Sequence, residues 1–271
     1  MKFFITGGAG FIGHNVVCQL QSQGHECVVV DSGATYGFIP ADELAYLKSV
    51  RTSKIGIPVH NYDIVGTAGM EVVAHKHIAG TDAIIHLASF PRQKVAAAHP
   101  IAATSVMMTG LMNLLEIARI YKIPRFVYVS SSMVYGDFDH GVTEDAACNP
   151  QGIYGILKLT GERLVEEHAR RHGFESVIVR PSAVYGELDV EDRVISKFML
   201  AALRNQTLKV SGAQEALDFT HVSDAATGIA LAAMVPAAAN EIFNITRSAS
   251  HIFTLIEAAE LIRNLAGQGQ I

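Results

Sequence analysis

The sequence predicts an α/β chain, a doubly wound parallel sheet with helices on both faces and a smaller C-terminal substrate-binding lobe. Three observations carry the prediction. Apolar runs of strand length alternate with longer segments of helical period, the strands read as continuous Val, Ile and Phe, and a glycine-rich turn joins the first strand to the first helix. Strands covered on both faces lose the usual polar alternation because neither side meets water. Right-handed crossovers then give the doubly wound order.

The elements follow in chain order. Strands are expected at 2–6, 26–31, 59–62, 83–86, 125–130 and 176–180, and helices near 11–23, 67–77, 101–121 and 152–172. After Arg180 the rhythm changes. Pro181, a Val184-Tyr185-Gly186 turn and an acidic loop over 187–192 precede a helix near 194–204 and a short strand at 208–210. This pattern assigns 1–180 to a dinucleotide-binding domain and 181–271 to a substrate lobe whose later elements return to the main sheet.

Composition narrows the function classes. Of 271 residues 49% are hydrophobic and 17% charged, which supplies a sizeable core and argues against disorder. Lys plus Arg number 21 against 26 Asp plus Glu, a net charge of −5 with no basic block, so a nucleic-acid partner is not expected. The opening MKFFITGGAG runs straight into a glycine-rich turn, so no secretory leader is expected, and the apolar stretch 225–240 is interrupted by Pro236 and too short to span a bilayer. Cys18, Cys27 and Cys148 stand at unrelated spacings, suggesting neither disulfides nor a zinc site. His75 and His77 sit in a polar helix without cysteine or carboxylate neighbours at ligand spacing and read as solvated surface. The expectation is a cytoplasmic chain with no membrane and no metal.

Thr6-Gly7-Gly8-Ala9-Gly10-Phe11-Ile12-Gly13 falls where a strand ends and a helix begins. Gly7 can adopt angles closed to other residues, Gly10 admits a pyrophosphate, and Gly13 lets the helix pack closely, while the helix N-terminus offers free N–H groups to phosphate. Asp31 closes the second strand 18 positions beyond Gly13, where a carboxylate can hold an adenosine ribose diol. The plain alternative is a strand-end aspartate capping a turn. No arginine neighbours Asp31 in the sequence, and a 2′-phosphate there would meet like charge, so NAD is expected rather than NADP.

Tyr154 and Lys158 are spaced i, i+4 in a predicted helix and share a face. Alone the pair reads as surface. The run Val127-Tyr128-Val129-Ser130-Ser131-Ser132 ends the preceding strand, and ligands in such sheets sit at carboxyl ends of strands, so these hydroxyls and Tyr154 should converge. A free tyrosine titrates near pH 10, so a base working near pH 7 needs about 3 units of help, roughly 4 kcal/mol. The Lys158 ammonium and a positive nicotinamide ring can supply it in a site closed to water.

These residues together resemble the extended short-chain dehydrogenase/reductases, in the nucleotide-sugar epimerase/dehydratase branch. The landmarks are TGGAGFIG, Asp63-Ile64, His86-Leu87-Ala88, Ser130 to Gly136, Tyr154-x-x-x-Lys158, Arg180 to Gly186 and Asp218-Phe219-Thr220-His221-Val222, which cover nearly the whole chain. The resemblance implies a Rossmann fold and makes Ser131, Tyr154 and Lys158 catalytic. It places Gly7, Gly10, Phe11, Ile12, Gly13, Asp31, Asp63, Ile64, Leu87, Ala88 and Pro181 with Tyr154 and Lys158 on NAD, and Ser89 and Ser132 beside the sugar. It also implies a homodimer paired through the helices near 101–121 and 152–172.

Departures from the family pattern are informative. Dehydratases of this branch carry an Asp-Glu pair directly after the catalytic threonine, where this chain has Ser132 and Met133. Met107 and Ala183 replace customary asparagines, and Leu217 replaces the arginine that grips the substrate diphosphate. Arg193 is the candidate replacement cation, with a solvated surface arginine as the plain alternative. Family members generally run some tens of residues further, so the chain is either short or continues past Ile271. The reading that follows is an NAD-dependent epimerase of a nucleotide sugar, acting at C4 through a transient keto-sugar. A dehydrogenase or reductase of a sugar or other secondary alcohol is the alternative, because it uses every residue named. A protein that keeps the cofactor and has lost catalysis fits the complete Ser131, Tyr154 and Lys158 set poorly.

Overall fold

The structure is a computed structural model that describes residues 1–35, 37, 39–137, 141–247 and 252–271. The first half comprises β1 (Lys2–Thr6), α1 (Phe11–Ser22), β2 (Glu26–Val30), α2 (Ala41–Ile55), β3 (Val59–His60), α3 (Thr67–His77), β4 (Ala83–His86) and α4 (Gln93–Ala98). Next come α5 (Pro100–Thr104), a π-helical turn (Ser105–Thr109), α6 (Gly110–Ile120), β5 (Arg125–Val129), α7 (Gly152–His172) and β6 (Glu175–Pro181). The remainder is β7 (Val184–Tyr185), α8 (Val194–Leu203), β8 (Ala216–Leu217), β9 (Thr220–His221), α9 (Val222–Met234), β10 (Ile242–Ile245), β11 (Phe253–Thr254) and α10 (Leu255–Ala266).

Seven strands form one parallel sheet in the order β10-β6-β5-β4-β1-β2-β3. The order reverses between β1 and β4, which opens a crevice at their carboxyl ends. Alternate residues of each strand feed two cores. Phe4, Val28, Ile84, Phe126 and Tyr128 face α3, α6 and α7 on one side. Phe3, Ile5, Val29, Ile85, Val127 and Val179 face α1 and α9 on the other. Burying each such side chain contributes about 1.5–3 kcal/mol, so the polar site rests on a stiff apolar floor.

Beyond Pro181 the chain divides. α9 packs on α1 and β10 pairs with β6, so both belong to the main layer. α8 and α10 pack on each other around Phe198, Ala202, Leu208 and Ala259, a small separate core. The strand expected at 208–210 is not formed. Leu208 N–H instead donates to Gln270 O, leaving an isolated bridge between Thr207 and Gln270. The strand expected at 59–62 stops at His60.

The helix expected at 101–121 is interrupted by the π turn, one residue wider than an α turn. Pro100–Ile120 is long and apolar enough to cross a membrane by length and composition, a candidate beyond the one stretch the sequence singles out, with mean hydropathy 1.4. In this fold Leu111, Leu114, Leu115 and Ala118 bury against β4 and β5, as a core helix does. α2 has no counterpart among the expected helices. Its surface is highly charged, and only Leu47, Arg51 and Ile55 are buried, one residue per turn.

Candidate active site

Gly7 has φ +73°, and a Cβ there would stand 2.5 Å from Ala88 N. The turn can therefore lie against the end of β4 only as glycine. A Cβ on Gly13 would collide with Gly7 O and Gly8 Cα, so the helix packs on the turn itself rather than on the strand. α1 begins at Phe11 with no side-chain cap, leaving N–H groups directed out of its first turn. Asp31 Oδ2 accepts from Ala9 N at 3.0 Å and its Oδ1 from Gly33 N at 2.7 Å. The carboxylate is thus oriented at the rim of a cleft of about 410 Å³ that Gly10, Ala34, Lys48 and Arg51 also line. A crowded glycine cradle, open helix donors and an oriented carboxylate fit a dinucleotide.

One expectation here needs correction. The sequence places no arginine near Asp31, but the fold brings Arg51 and Lys48 into the same cleft. Arg51 is engaged elsewhere, donating from Nε at 3.2 Å and Nη2 at 2.5 Å to Leu188 O. Of the other expected cofactor residues, Leu87 N donates to Thr6 O, Ala88 abuts Gly7, and Phe11 and Ile12 pack beside Val184 and Val222. Pro181 ends β6 against Ile245. Asp63 is exposed and binds Val65 N in a local turn, while the Ile64 side chain is buried against Gly110. The fold therefore does not present the Ile64 side chain to the cleft.

Ser131, Tyr154 and Lys158, the residues expected to be catalytic, lie together at the ends of β5 and α7. Ser131 caps a short 3₁₀ turn, its Oγ accepting from Met133 N at 3.2 Å, and its hydroxyl lies near enough to the Tyr154 phenol to favour the anion. Lys158, 3% exposed, donates to Val129 O at 2.7 Å and lies 5.8 Å from the Tyr154 ring centre. Beneath it Glu162 and Arg180, 0% and 2% exposed, form an ion pair at 2.6 Å. Ser130 Oγ donates to Glu162, and Arg180 Nη1 donates to Tyr135 Oη, which donates on to Asn244. Strand ends β5, β6 and β10 and helix α7 are thereby joined under the site. Burial lifts the Tyr154 phenol above its ordinary value, while Arg193 and Ser131 pull it back down. Burial also drives the Lys158 ammonium down to about 7, against the opposing pull of Glu162. Arg193 thus joins Lys158, the cation the sequence names, among the groups placed to act on the phenol.

The profile of the NAD dependent epimerase/dehydratase family matches residues 3–246. The chain belongs to that family. It is 29% identical over 275 residues to the uncharacterized UDP-glucose epimerase YtcB of Bacillus subtilis, covering 99% of this chain and 83% of the relative. It is also 28% identical over 283 residues to a dTDP-glucose 4,6-dehydratase of Streptomyces niveus, covering 99% and 79%. Among solved structures, the UDP-glucose 4-epimerase of Thermus thermophilus in complex with NAD matches with TM-score 0.83 and 25% identity, over 100% of this chain and 85% of that one. The chain is thus an enzyme of an NAD-dependent epimerase/dehydratase family on a Rossmann-type fold, and its cofactor is NAD.

For a member of this family, the substrate side is unusual. A second cleft is lined by Arg92, Ala183, Tyr185, Asp189, Arg193 and Leu217. Ala183 holds φ +37°, a conformation that suits the family's asparagine better than alanine. Arg193 lies 3.6 Å from Asp189, and Arg92 binds Asp192 at 2.7 Å. Ser89 Oγ and Gln93 Oε1 are buried without a hydrogen-bond partner among the described residues. Such groups are costly unless a ligand or water meets them, which suits Ser89's expected substrate role. Ser132 opens the 3₁₀ turn beside Ser131.

The acidic segment 187–192 spans the two clefts. Besides the Arg51 bonds to Leu188 O, Lys54 pairs with Glu187 at 3.4 Å, Glu191 N donates to Glu43 at 2.7 Å, and Arg92 holds Asp192. Arg51 escapes the sequence because α2 is not among the expected helices and its partner Leu188 lies 137 residues away. Leu47, Arg51 and Ile55 share one stripe at i, i+4, i+8, and a charge on such a stripe needs a specific partner.

Proposed function

We propose that this protein is an NAD-dependent epimerase of a nucleotide-activated sugar, acting at C4. The observation that carries the reading is the Ser131–Tyr154 pair above Lys158, followed in the chain by Ser132 and Met133. Water loss needs an acid and a base beside the substrate in addition to Tyr154, and Ser132 and Met133 offer neither at physiological pH. Tyr154 removes the C4 hydroxyl proton, and Ser131 orients the oxygen. Held at the Gly7–Gly13 turn and Asp31, NAD would accept hydride from that carbon and return it. Tyr154 gives the proton back once the keto-sugar has turned over. Arg193 anchors the diphosphate through charge-assisted bonds while the sugar moves. The same reading includes a homodimer paired through α6 and α7, which light scattering of the purified chain checks.

The direct test is to incubate the protein with UDP-glucose and NAD and follow the anomeric region by NMR. The expected outcome is the C4 epimer with no net NADH. Loss of water to a 4-keto-6-deoxy product would overturn the reading. A specific observation favours the second reading, a reductase or dehydrogenase. Leu217 and Ala183 give the substrate cleft two apolar positions where the family has a cation and an amide. Titration with uridine diphosphate separates the two. Micromolar binding that loses about 2 kcal/mol or more in Arg193→Ala supports the nucleotide-sugar substrate. Absence of binding by the NAD-loaded protein to any nucleoside diphosphate favours the reductase.

A further inference from the structure

α6 and α7 pack together, and three metal-ligating side chains meet near their C-terminal ends. His168 and His172 stand one turn apart on α7, and Glu116 reaches them from α6. One ligand atom from each lies within 4.8 Å of the others. His168 Nε2 is 3.1 Å from Glu116 Oε1, and the two imidazole centres are 4.9 Å apart. Arg119 steadies the carboxylate, with Nη2 at 2.8 Å and Nε at 3.1 Å from Oε2.

We propose that Glu116, His168 and His172 form a binding site for a zinc-class divalent cation, separate from the active site. Two imidazoles and one carboxylate are a known zinc donor set, and they leave a fourth tetrahedral position for water. Zinc–ligand bonds of about 2.0–2.1 Å put tetrahedral donors roughly 3.3–3.4 Å apart. The His168–Glu116 pair is already near that spacing. His172 is exposed and can swing by the remaining ångström without disturbing the core. Arg119 can keep Oε2 while Oε1 turns to the metal, the outer-shell support that ligating carboxylates commonly have.

Electrostatics sets the strength. Both helices end at this point, and their C-terminal partial negative charge favours a cation. Arg119, Arg170 and Arg171 oppose it, although Glu167 pairs with Arg170 at 2.6 Å and with Arg171 at 4.0 Å. Three donors without a fourth protein ligand, in such mixed surroundings, correspond to micromolar rather than nanomolar binding. The site lies 14 residues from Tyr154 to His168 along α7, about 21 Å. All three donors come from one chain.

The test uses the full chain, untagged and stripped with chelator, titrated with zinc chloride at pH 7.5 by calorimetry. One site per chain with a Kd of about 10 µM is expected, weakened at least tenfold in His168→Ala and in His172→Ala. His75→Ala and His77→Ala serve as controls and should bind as the parent does. Circular dichroism establishes that each variant is folded, and exposed His172 makes its variant the safer of the two. Substrate turnover should be the same in parent and His172→Ala. No saturation by 10 times that concentration, or a stoichiometric site that survives both ligand substitutions, overturns the proposal.

Discussion

Tyr154 can act as a base only if its anion is reachable near neutral pH, and burial works against that. Tyr154→Phe should abolish hydride transfer yet leave NAD binding and the melting temperature close to the parent, since only one phenolic oxygen is removed. Ser131→Ala should lower kcat by about two to three orders of magnitude and Ser132→Ala by less. A more damaging Ser132→Ala would shift the catalytic hydroxyl by one position. Arg193 pulls the phenol downward, so Arg193→Ala should move the rising limb of kcat against pH to higher pH. An unmoved limb would leave Arg193 as a substrate contact alone. At the other cleft, Asp31→Ala should narrow the preference for NAD over NADP, measured as a ratio of Kd values. Equal affinities in the parent protein would remove Asp31 from that role.

At the scale of elements, the Glu162–Arg180 pair joins α7 to β6, and Tyr135 extends the chain to β10. Removing one partner leaves a buried charge uncompensated, so Arg180→Met alone should cost about 3–5 kcal/mol in urea unfolding. The double change Glu162→Leu with Arg180→Met should recover much of that loss, because apolar pairs of similar volume avoid the desolvation penalty. His86 at the end of β4 behaves differently. Burial holds its imidazole down to about 3, against an ordinary 6.5, and Thr6 bonds its Nδ1 at 2.7 Å. The unfolded chain therefore binds the proton more readily, and stability present above pH 6.5 is lost progressively toward pH 3. From pH 7.5 to 5 the loss attributable to His86 is about 2 kcal/mol. His86→Gln should flatten that part of the stability curve.

Some elements are legible in the sequence and others are not, for physical reasons. α7 has the limits its periodicity predicts, and α10, absent from the expected helices, is nonetheless readable from Thr254 and Glu257, which form a reciprocal capping box. α2 escapes because a single buried residue per turn makes almost no periodic signal. The π turn escapes because hydrophobic spacing does not report which carbonyl a backbone N–H reaches. The convergence of Ser131, Tyr154 and Lys158 is legible because it needs only fixed spacing on one strand end and one helix. Arg51 and the Glu116, His168 and His172 group are not, because each depends on partners tens of residues away.

For the molecule as a whole, segment 187–192 matters more than its length suggests. It is tied to α2 by Arg51, Lys54 and Glu43 and to the start of α4 by Arg92. The exposed ion pairs are worth little, about 0–1 kcal/mol each, whereas the largely buried Arg51 guanidinium binds a backbone carbonyl. Arg51→Ala should therefore loosen the segment most, seen as faster amide exchange at 187–192 against an unchanged core. The three ties to α2 also bear on cofactor exchange. α2 forms one wall of the cleft at Asp31, so this wall cannot swing away from the segment without breaking all three. Dissociation of NAD should then be slow beside turnover, and one cofactor molecule should serve many successive substrates before it exchanges with the surrounding pool.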